Sequence, residues 1–359
     1  MNITIKLTKK LINNIPYLYD LLWIQHNIHY WEFHKYKFIK DVSLKHPKYF
    51  LPLLLFLKEG QYYLFSAGDY INTPYFYPSG VLWKPVKNDK SNFSNRIPKN
   101  NNPNQNIHKV KSLKPFIKYV NNLKNKYSIQ NIKIQQYPYD SYKLRYSFLD
   151  MLGKRTYYRY RSWINLKENT LAQIKSNFRK SYKQFVNREY PTNIYFGNQV
   201  YQVEKGIQVV STDSHLPNDI ESAFKAFQNK HLELAGRITK PQKCWDILKE
   251  MVVKEKSILA EYDNNFVYFF VSQDYCYYGI NAASKKDGIC HSLIYQVIKW
   301  LKYYEYNYLD LGSTYFTREI LESDKYHSGE KNDMKKTYEI GFFKSGFGNQ
   351  YAMDFYGYI

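Results

Sequence analysis

Acidic residues are scarce in this chain: 31 aspartates and glutamates face 52 lysines and arginines over 359 residues, for a net charge of +21. So large an imbalance sets up a field that attracts polyanions, namely nucleic acid, an anionic membrane face or a phosphorylated precursor. A compositional cause competes with it. Lys, Asn, Ile and Tyr (39 tyrosines) saturate the sequence, and an AT-rich genome supplies them whatever the function. Cysteine is nearly absent. Cys244, Cys276 and Cys290 are odd in number and scattered, with no C-x-x-C, which argues against a disulfide framework and against a cysteine zinc site. Long hydrophobic runs are missing too. The longest, "YFLPLLLFL" (49–57), is interrupted by Pro52 and falls short of the roughly 20 residues a bilayer demands. "MNITIKLTKKLINNIPYL" has neither a long apolar stretch nor a small-residue cleavage site. The expectation is a soluble, cytoplasmic protein without a transmembrane segment. No internal repeat is visible in the residues.

With 44% hydrophobic residues the chain can bury a core, and its length suits one large or two medium domains. "YFLPLLLFLKEGQYYLFSAG" (49–68) predicts two strands turning at Glu59-Gly60. "TPYFYPSGVLW" (73–83) predicts a loop entering a strand, and the Asn-rich, Pro-broken stretch 86–108 a flexible insertion. A helix is expected over about 113–127, with Phe116, Ile117, Val120 and Leu123 on one face, and a strand over 129–137. "TYYRYRSWINL" (156–166) alternates as a strand. Leu171, Ile174, Phe178, Tyr182 and Phe185 then follow helical spacing, with Lys175, Arg179, Lys180, Lys183 and Arg188 forming a cationic surface. Further helices are expected to start near Pro217 and Pro241. Residues 257–284 predict three strands turning at 263–265 and at Gln273-Asp274. An amphipathic helix over 292–306 and a strand over 307–313 complete the pattern of a mixed sheet with helices packed on it.

Several local patterns carry candidate chemistry. "GFFKSGFGNQY" (341–351) is glycine-rich, yet no Lys-Ser/Thr follows its second glycine, as a Walker loop requires. Its spacing also differs from G-x-G-x-x-G and no helix is expected after it, so it predicts a strand ending in a turn over Ser345–Gly348. That reading leaves Lys344 among aromatics unexplained. "HNIHYWEFH" places His26, His29 and His34 near Glu32, a metal-like grouping in which the histidines serve equally well as aromatics. Cys290-His291 lacks an orienting third group for a nucleophile pair. "GKRTYYRYRSW" (153–163) interleaves Lys154, Arg155, Arg159 and Arg161 with aromatics, as single-stranded nucleic-acid binders do, and as a strand packed between elements also does.

Three segments, in order, resemble the FemAB-like branch of the GNAT (acyl-CoA N-acyltransferase fold) superfamily. "YRSWINLKENTLAQIKSNFRKSYKQFVNREY" (160–190) is similar to its strand and F-R-x-x-x-K helix. "HSLIYQVIKWLKYYEYNYLDLGS" (291–313) is similar to its helix and D-x-G-G/S strand end, and "GFFKSGFG" to its closing F-K-x-G-F-G element. "TPYFYPSGVLW" is loosely similar to a first-domain segment. The resemblance implies an α+β chain of two tandem GNAT-like domains, each a mixed sheet flanked by helices. Expected bounds are 1–165, joined by the C-terminal element 340–359, and 166–339. It implies transfer of an acyl or aminoacyl group to an amine of a cell-envelope or surface-glycan precursor. Acyl-CoA or aminoacyl-tRNA would be the donor, with no tightly bound cofactor and no metal. The acceptor would be a small molecule or glycan precursor. tRNA and the inner membrane face are the expected macromolecular contacts. Lys344 is expected to stabilise the oxyanion and Asp310 to orient or deprotonate the amine. Arg179 and Lys183, one turn apart, are expected to clamp a phosphate. Gly312, Ser313 and Phe347 complete the expected substrate or donor contacts. The charged stretch 314–339 is expected to act as a lid. A pyrophosphate-binding glycine turn is not recognisable beyond Gly288. The competing expectation is a non-catalytic basic module that binds RNA or an anionic surface.

Overall fold

The computed structural model of the protein describes residues 21–46, 49–66, 114–136, 156–211, 216–272, 275–284, 286–314, 334–348 and 350–358. Elements are numbered along the chain. The chain divides into two compact units, one of residues 1–158 with 353–359, the other of residues 159–352. Expected boundaries at 165 and 340 therefore move. Residues 161–165 pair in register with the strand carrying Asp310, which takes them into the second unit. Residues 340–352 also lie in that unit, and only 353–359 return to the first.

The first unit begins its described residues with α1 (Leu21–Phe33) and an antiparallel meander of β1 (Lys37–His46), β2 (Tyr49–Lys58) and β3 (Gln61–Ser66). Glu59 and Gly60, at φ +53° and +76°, make the two-residue turn between β2 and β3 at the expected place. Leu54, Leu55 and Phe56 are fully buried at the centre of β2. Helix α2 (Lys114–Tyr127) then crosses to β4 (Ile129–Gln136), parallel to β3, and β13 (Gln350–Tyr358) pairs antiparallel with β4. The segments 73–83 and 86–108 lie outside the described residues.

The second unit shares with the first the run of three antiparallel strands, a helix and a parallel strand. A meander of β9 (Ser257–Tyr262), β10 (Asn265–Ser272) and β11 (Tyr275–Ala282) is followed by the crossing helix α7 (Ile289–Tyr303). Next comes β12 (Tyr308–Thr314), parallel to β11, and β5 (Thr156–Asn165) pairs antiparallel with β12. A ribbon of β6 (Thr192–Phe196), β7 (Gln199–Val203) and β8 (Ile207–Ser211), not expected from the sequence, extends the edge beyond β9. Helices α5 (Leu216–Ala235) and α6 (Gln242–Val253) start where Pro217 and Pro241 predict. The five inward residues expected on α7, Leu293, Ile294, Val297, Ile298 and Leu301, are all fully buried. Each such side chain contributes about 1.5–3 kcal/mol of transfer free energy.

Two expectations are corrected. The helical period over 171–185 is interrupted, giving α3 (Leu171–Ser176) and α4 (Lys180–Val186). A Thr170–Gln173 capping box starts α3. Its end is held by the Lys183 ammonium donating to the Ser176 carbonyl at 2.8 Å, and the Arg179 N–H leaves the helical pattern to bond the Gly346 carbonyl at 2.8 Å. The second correction concerns "GFFKS". It is the last turn of a helix, α8 (Met334–Ser345), not a strand.

Candidate functional site

The end of α8 explains itself once its carbonyls are followed. A helix leaves its last carbonyls without intrahelical partners, and here side chains from β5 and from the α3–α4 segment supply them. The Phe342 carbonyl accepts from the Arg179 guanidinium at 3.1 Å and from the Ser345 hydroxyl at 2.9 Å. Phe343 O accepts from the Tyr182 hydroxyl at 3.1 Å, and Lys344 O from the Ser162 hydroxyl at 3.2 Å. The glycines that follow permit close approach. A Cβ on Gly346 would stand 2.2 Å from the Tyr182 ring, and one on Gly348 would stand 2.8 Å from the Trp163 carbonyl. Phe347 is 1% exposed and packs against Phe178, Tyr182, His291 and Phe343. It is thus a core residue that anchors the helix end.

Fixed in this way, Lys344 reaches the carboxyl end of β12. Between Asp310 and Gly312 the register against β5 shifts, Asp310 facing Trp163 and Gly312 facing Ser162. The bulge is taken up at Gly312, whose φ of +88° would strain any residue with a side chain. A Cβ at 312 would lie 2.8 Å from the Lys344 ammonium and 3.4 Å from the Tyr277 hydroxyl. Three segments far apart in sequence therefore meet at one bare stretch of backbone.

Beneath it sits a buried ion pair. Arg161 Nε and Nη2 both donate to Asp310 Oδ2, at 2.9 and 2.6 Å, and the Gly312 N–H donates to Oδ1 at 2.6 Å. Arg161 is 4% exposed and Asp310 fully buried. Both Asp310 oxygens are thus engaged inside the protein, one by the Arg161 guanidinium and the other by the Gly312 N–H at the bulge. Arg161 also lies 5.5 Å from the Tyr277 ring centroid, and Trp163 packs with Tyr277 and Tyr308 beside it. The nucleic-acid expectation for Arg161 is corrected accordingly. It is a buried, paired cation. Residues 154 and 155 and the side chain of Arg159 lie outside those described.

Arg179 stacks on the Phe342 ring at 3.6 Å and Lys183 caps α3. The two are not on one helical face, because Arg179 is the residue that precedes α4. Ser313 faces Arg161 in the β12–β5 register. Residues 315–333 of the expected lid lie outside the described residues, and 334–339 belong to α8. His291 stands among Tyr182, Phe185, Phe343 and Phe347, with ring centroids 4.2–5.6 Å away. Burial pushes its imidazole down to about 4, the Arg179 charge acts the same way, and a hydrogen bond to the Gly288 backbone opposes both. Burial likewise pushes the Cys290 thiol up to about 12, so Cys290-His291 holds a thiol rather than a thiolate.

Among the described residues no three His, Cys, Asp or Glu side chains converge as a metal-holding group, and no helix is long and apolar enough to cross a membrane. In α1, His26 is buried and stacks on Tyr30, while His29 pairs with Glu32 at 3.5 Å.

No protein-family model matches the chain, and no curated protein matches it. Solved structures do. One is the C-terminal domain (DUF2156) of an Agrobacterium fabrum protein assigned as a lysylphosphatidylglycerol synthetase. Its TM-score is 0.48 at 10% identity, over 90% of this chain and 83% of that one. Another is FemX, at TM-score 0.43 and 10% identity over 96% and 93%. A third is L-PGS from Bacillus licheniformis, at 0.46 and 8% over 97% and 89%. Scores below 0.5 at such identities carry no functional inference.

Proposed function

We propose that the chain is an N-acyltransferase of two tandem GNAT-like units that moves an acyl or aminoacyl group to an amine of a cell-envelope or surface-glycan precursor. One observation carries the reading. The strand end "DLGS" and the helix end "GFFKS", two of the segments that resemble the FemAB-like branch, meet where the Lys344 ammonium stands over Gly312. The third segment joins them through Arg179, bonded to the Phe342 and Gly346 carbonyls.

The chemistry follows from the groups present. The acceptor nitrogen attacks the acyl carbonyl of an ester or thioester. A C–N bond forms, the C–O or C–S bond breaks, and the departing oxygen or sulfur takes the proton that the amine gives up. Negative charge develops on the carbonyl oxygen in between. A half-buried ammonium fixed beside that oxygen stabilises it without reorganising, an effect worth about 2.7–4 kcal/mol for one donor in comparable sites. Asp310 and Arg161 shape the bulge. Acyl-CoA and aminoacyl-tRNA both present the required carbonyl.

The test is mass spectrometry of incubations with acetyl-CoA or with charged tRNA, reading which donor is consumed and which molecule gains mass. Lys344→Ala is expected to keep its circular dichroism and to lower transfer at least tenfold. Unchanged turnover overturns the role of Lys344. Salt-steep tRNA binding with no consumption of the aminoacyl group favours instead the non-catalytic RNA-binding module.

A further inference from the structure

The point where a Cβ would stand on Gly312 is shared by two polar atoms from separate elements, Lys344 Nζ from the last turn of α8 and Tyr277 Oη from β11. Each side chain is held behind that point. The Lys344 carbonyl accepts from Ser162, which fixes the backbone one residue before Ser345 ends the helix. The Tyr277 ring lies against the Arg161 guanidinium and packs with Trp163. Arg161 is in turn tied by two bonds to Asp310, and Asp310 accepts from the Gly312 N–H. The loop of contacts thus closes on the residue it started from: Gly312, Asp310, Arg161, Tyr277, and back to the space beside Gly312.

We propose that Gly312 and Tyr277 are the positioning residues of the Lys344 amine. The missing side chain at 312 provides its seat, and the Tyr277 hydroxyl accepts a hydrogen bond from it there. This deepens the acyl-transfer reading and rests on it for the purpose of the lysine, though not for its placement. A side chain at 312 strains a backbone held at φ +88° and also presses on the ammonium, which is the nearest obstacle and the far end of a flexible chain. Loss of the hydroxyl alone leaves the Tyr277 ring on Arg161 but removes an acceptor that favours the charged amine. The Arg161–Asp310 pair acts one step further back, through the ring and the bulge.

The placement can be read without any substrate. Full-length protein is treated with an N-hydroxysuccinimide acetate over a range of pH, and acetylation of Lys344 is followed by peptide mass spectrometry. Exposed Lys180 serves as the reference within the same chain. Gly312→Ala and Tyr277→Phe are each expected to raise the relative rate at Lys344 at least threefold, with the midpoint of its pH profile moved to lower pH in Tyr277→Phe. Gly236→Ala is the control for backbone strain. Its φ is +64°, yet nothing lies within 4 Å of the added Cβ, so Lys344 should react as in the parent protein. A change below twofold in either variant overturns the role given to that residue, and an equal change in Gly236→Ala overturns both. These outcomes stand apart from the transfer assay. Absence of transfer with both donors would remove the acyltransferase reading and leave the seat of Lys344 to be decided by its own reactivity.

Discussion

The two units run the same course with different residues. In each, three antiparallel strands lead through a crossing helix to a parallel strand, which an antiparallel strand then flanks. The fourth strand of the first unit is "IQNIKIQQ", with no carboxylate and no glycine, where the second has "YLDLGST". Asp310 and Gly312 turn the end of β12 into a bulge with a buried ion pair below and an ammonium above. Among the described residues the first unit has no counterpart of that arrangement. Topology is shared and side-chain chemistry is not, and fold alone therefore implies no common role for the two strand ends.

That contrast can be broken most forcefully at the ion pair. Asp310→Ala would remove the carboxylate that takes two hydrogen bonds from the buried Arg161 guanidinium, and losing one member of a buried pair costs about 3–5 kcal/mol. Urea unfolding should show it, whereas Arg161→Met with Asp310→Leu together should recover most of it. Equal stability for Asp310→Ala and the parent would mean that the pair is not what separates the units energetically. Gly346→Ala comes next. The Tyr182 ring cannot move without disturbing His291 and Phe347, so overpacking should cost about 1–3 kcal/mol, read as a lower urea midpoint at unchanged m-value.

Acid provides a third handle. The His291 pKa falls from an ordinary 6.5 to about 4. Between those values the unfolded chain takes up a proton that the folded one refuses. The stabilisation is therefore complete above pH 6.5 and lost as pH falls toward 4. Allowing for solvent screening of a partly exposed ring, the loss is on the order of 1–2 kcal/mol. Burial pushes His231 to about 4 as well, so His291→Phe should flatten the profile in part. A profile identical to the parent's would show that the aromatic seam admits water. The smallest effect belongs to the first unit. Gly60→Ala meets open space at φ +76° and should cost about 1 kcal/mol from backbone conformation alone, with no change at Lys344.

Legibility followed the same division between pattern and contact. The turns at Glu59-Gly60 and at 263–265, the inward face of α7, and the starts of α5 and α6 were all readable, since period and turn chemistry are local. The α3–α4 break was hidden because Phe178 and Tyr182 keep helical spacing across it, while the bonds that cause it come from Lys183 and from Gly346. "GFFKS" looked extended because its aromatics and glycines favour strands and turns; its helical end depends on Arg179, Tyr182 and Ser162, each more than 160 residues away. Lys344 and Gly312 were both singled out from motif resemblance, but their meeting was not foreseeable. Arg161 had one available signal: a cation alternating with Trp163 on a strand bound for the core needs a carboxylate. Nothing marked Tyr277.

The three thiols have a practical consequence. Cys244, Cys276 and Cys290 are all buried, none is in a disulfide, and all lie within residues 159–352. Burial raises every one of their pKa values. A maleimide should therefore find no ready target in the native second unit and should label it at the rate at which that unit opens. The protein thus comes with its own clock for one half of the molecule, while the other half, lacking cysteine altogether, stays silent.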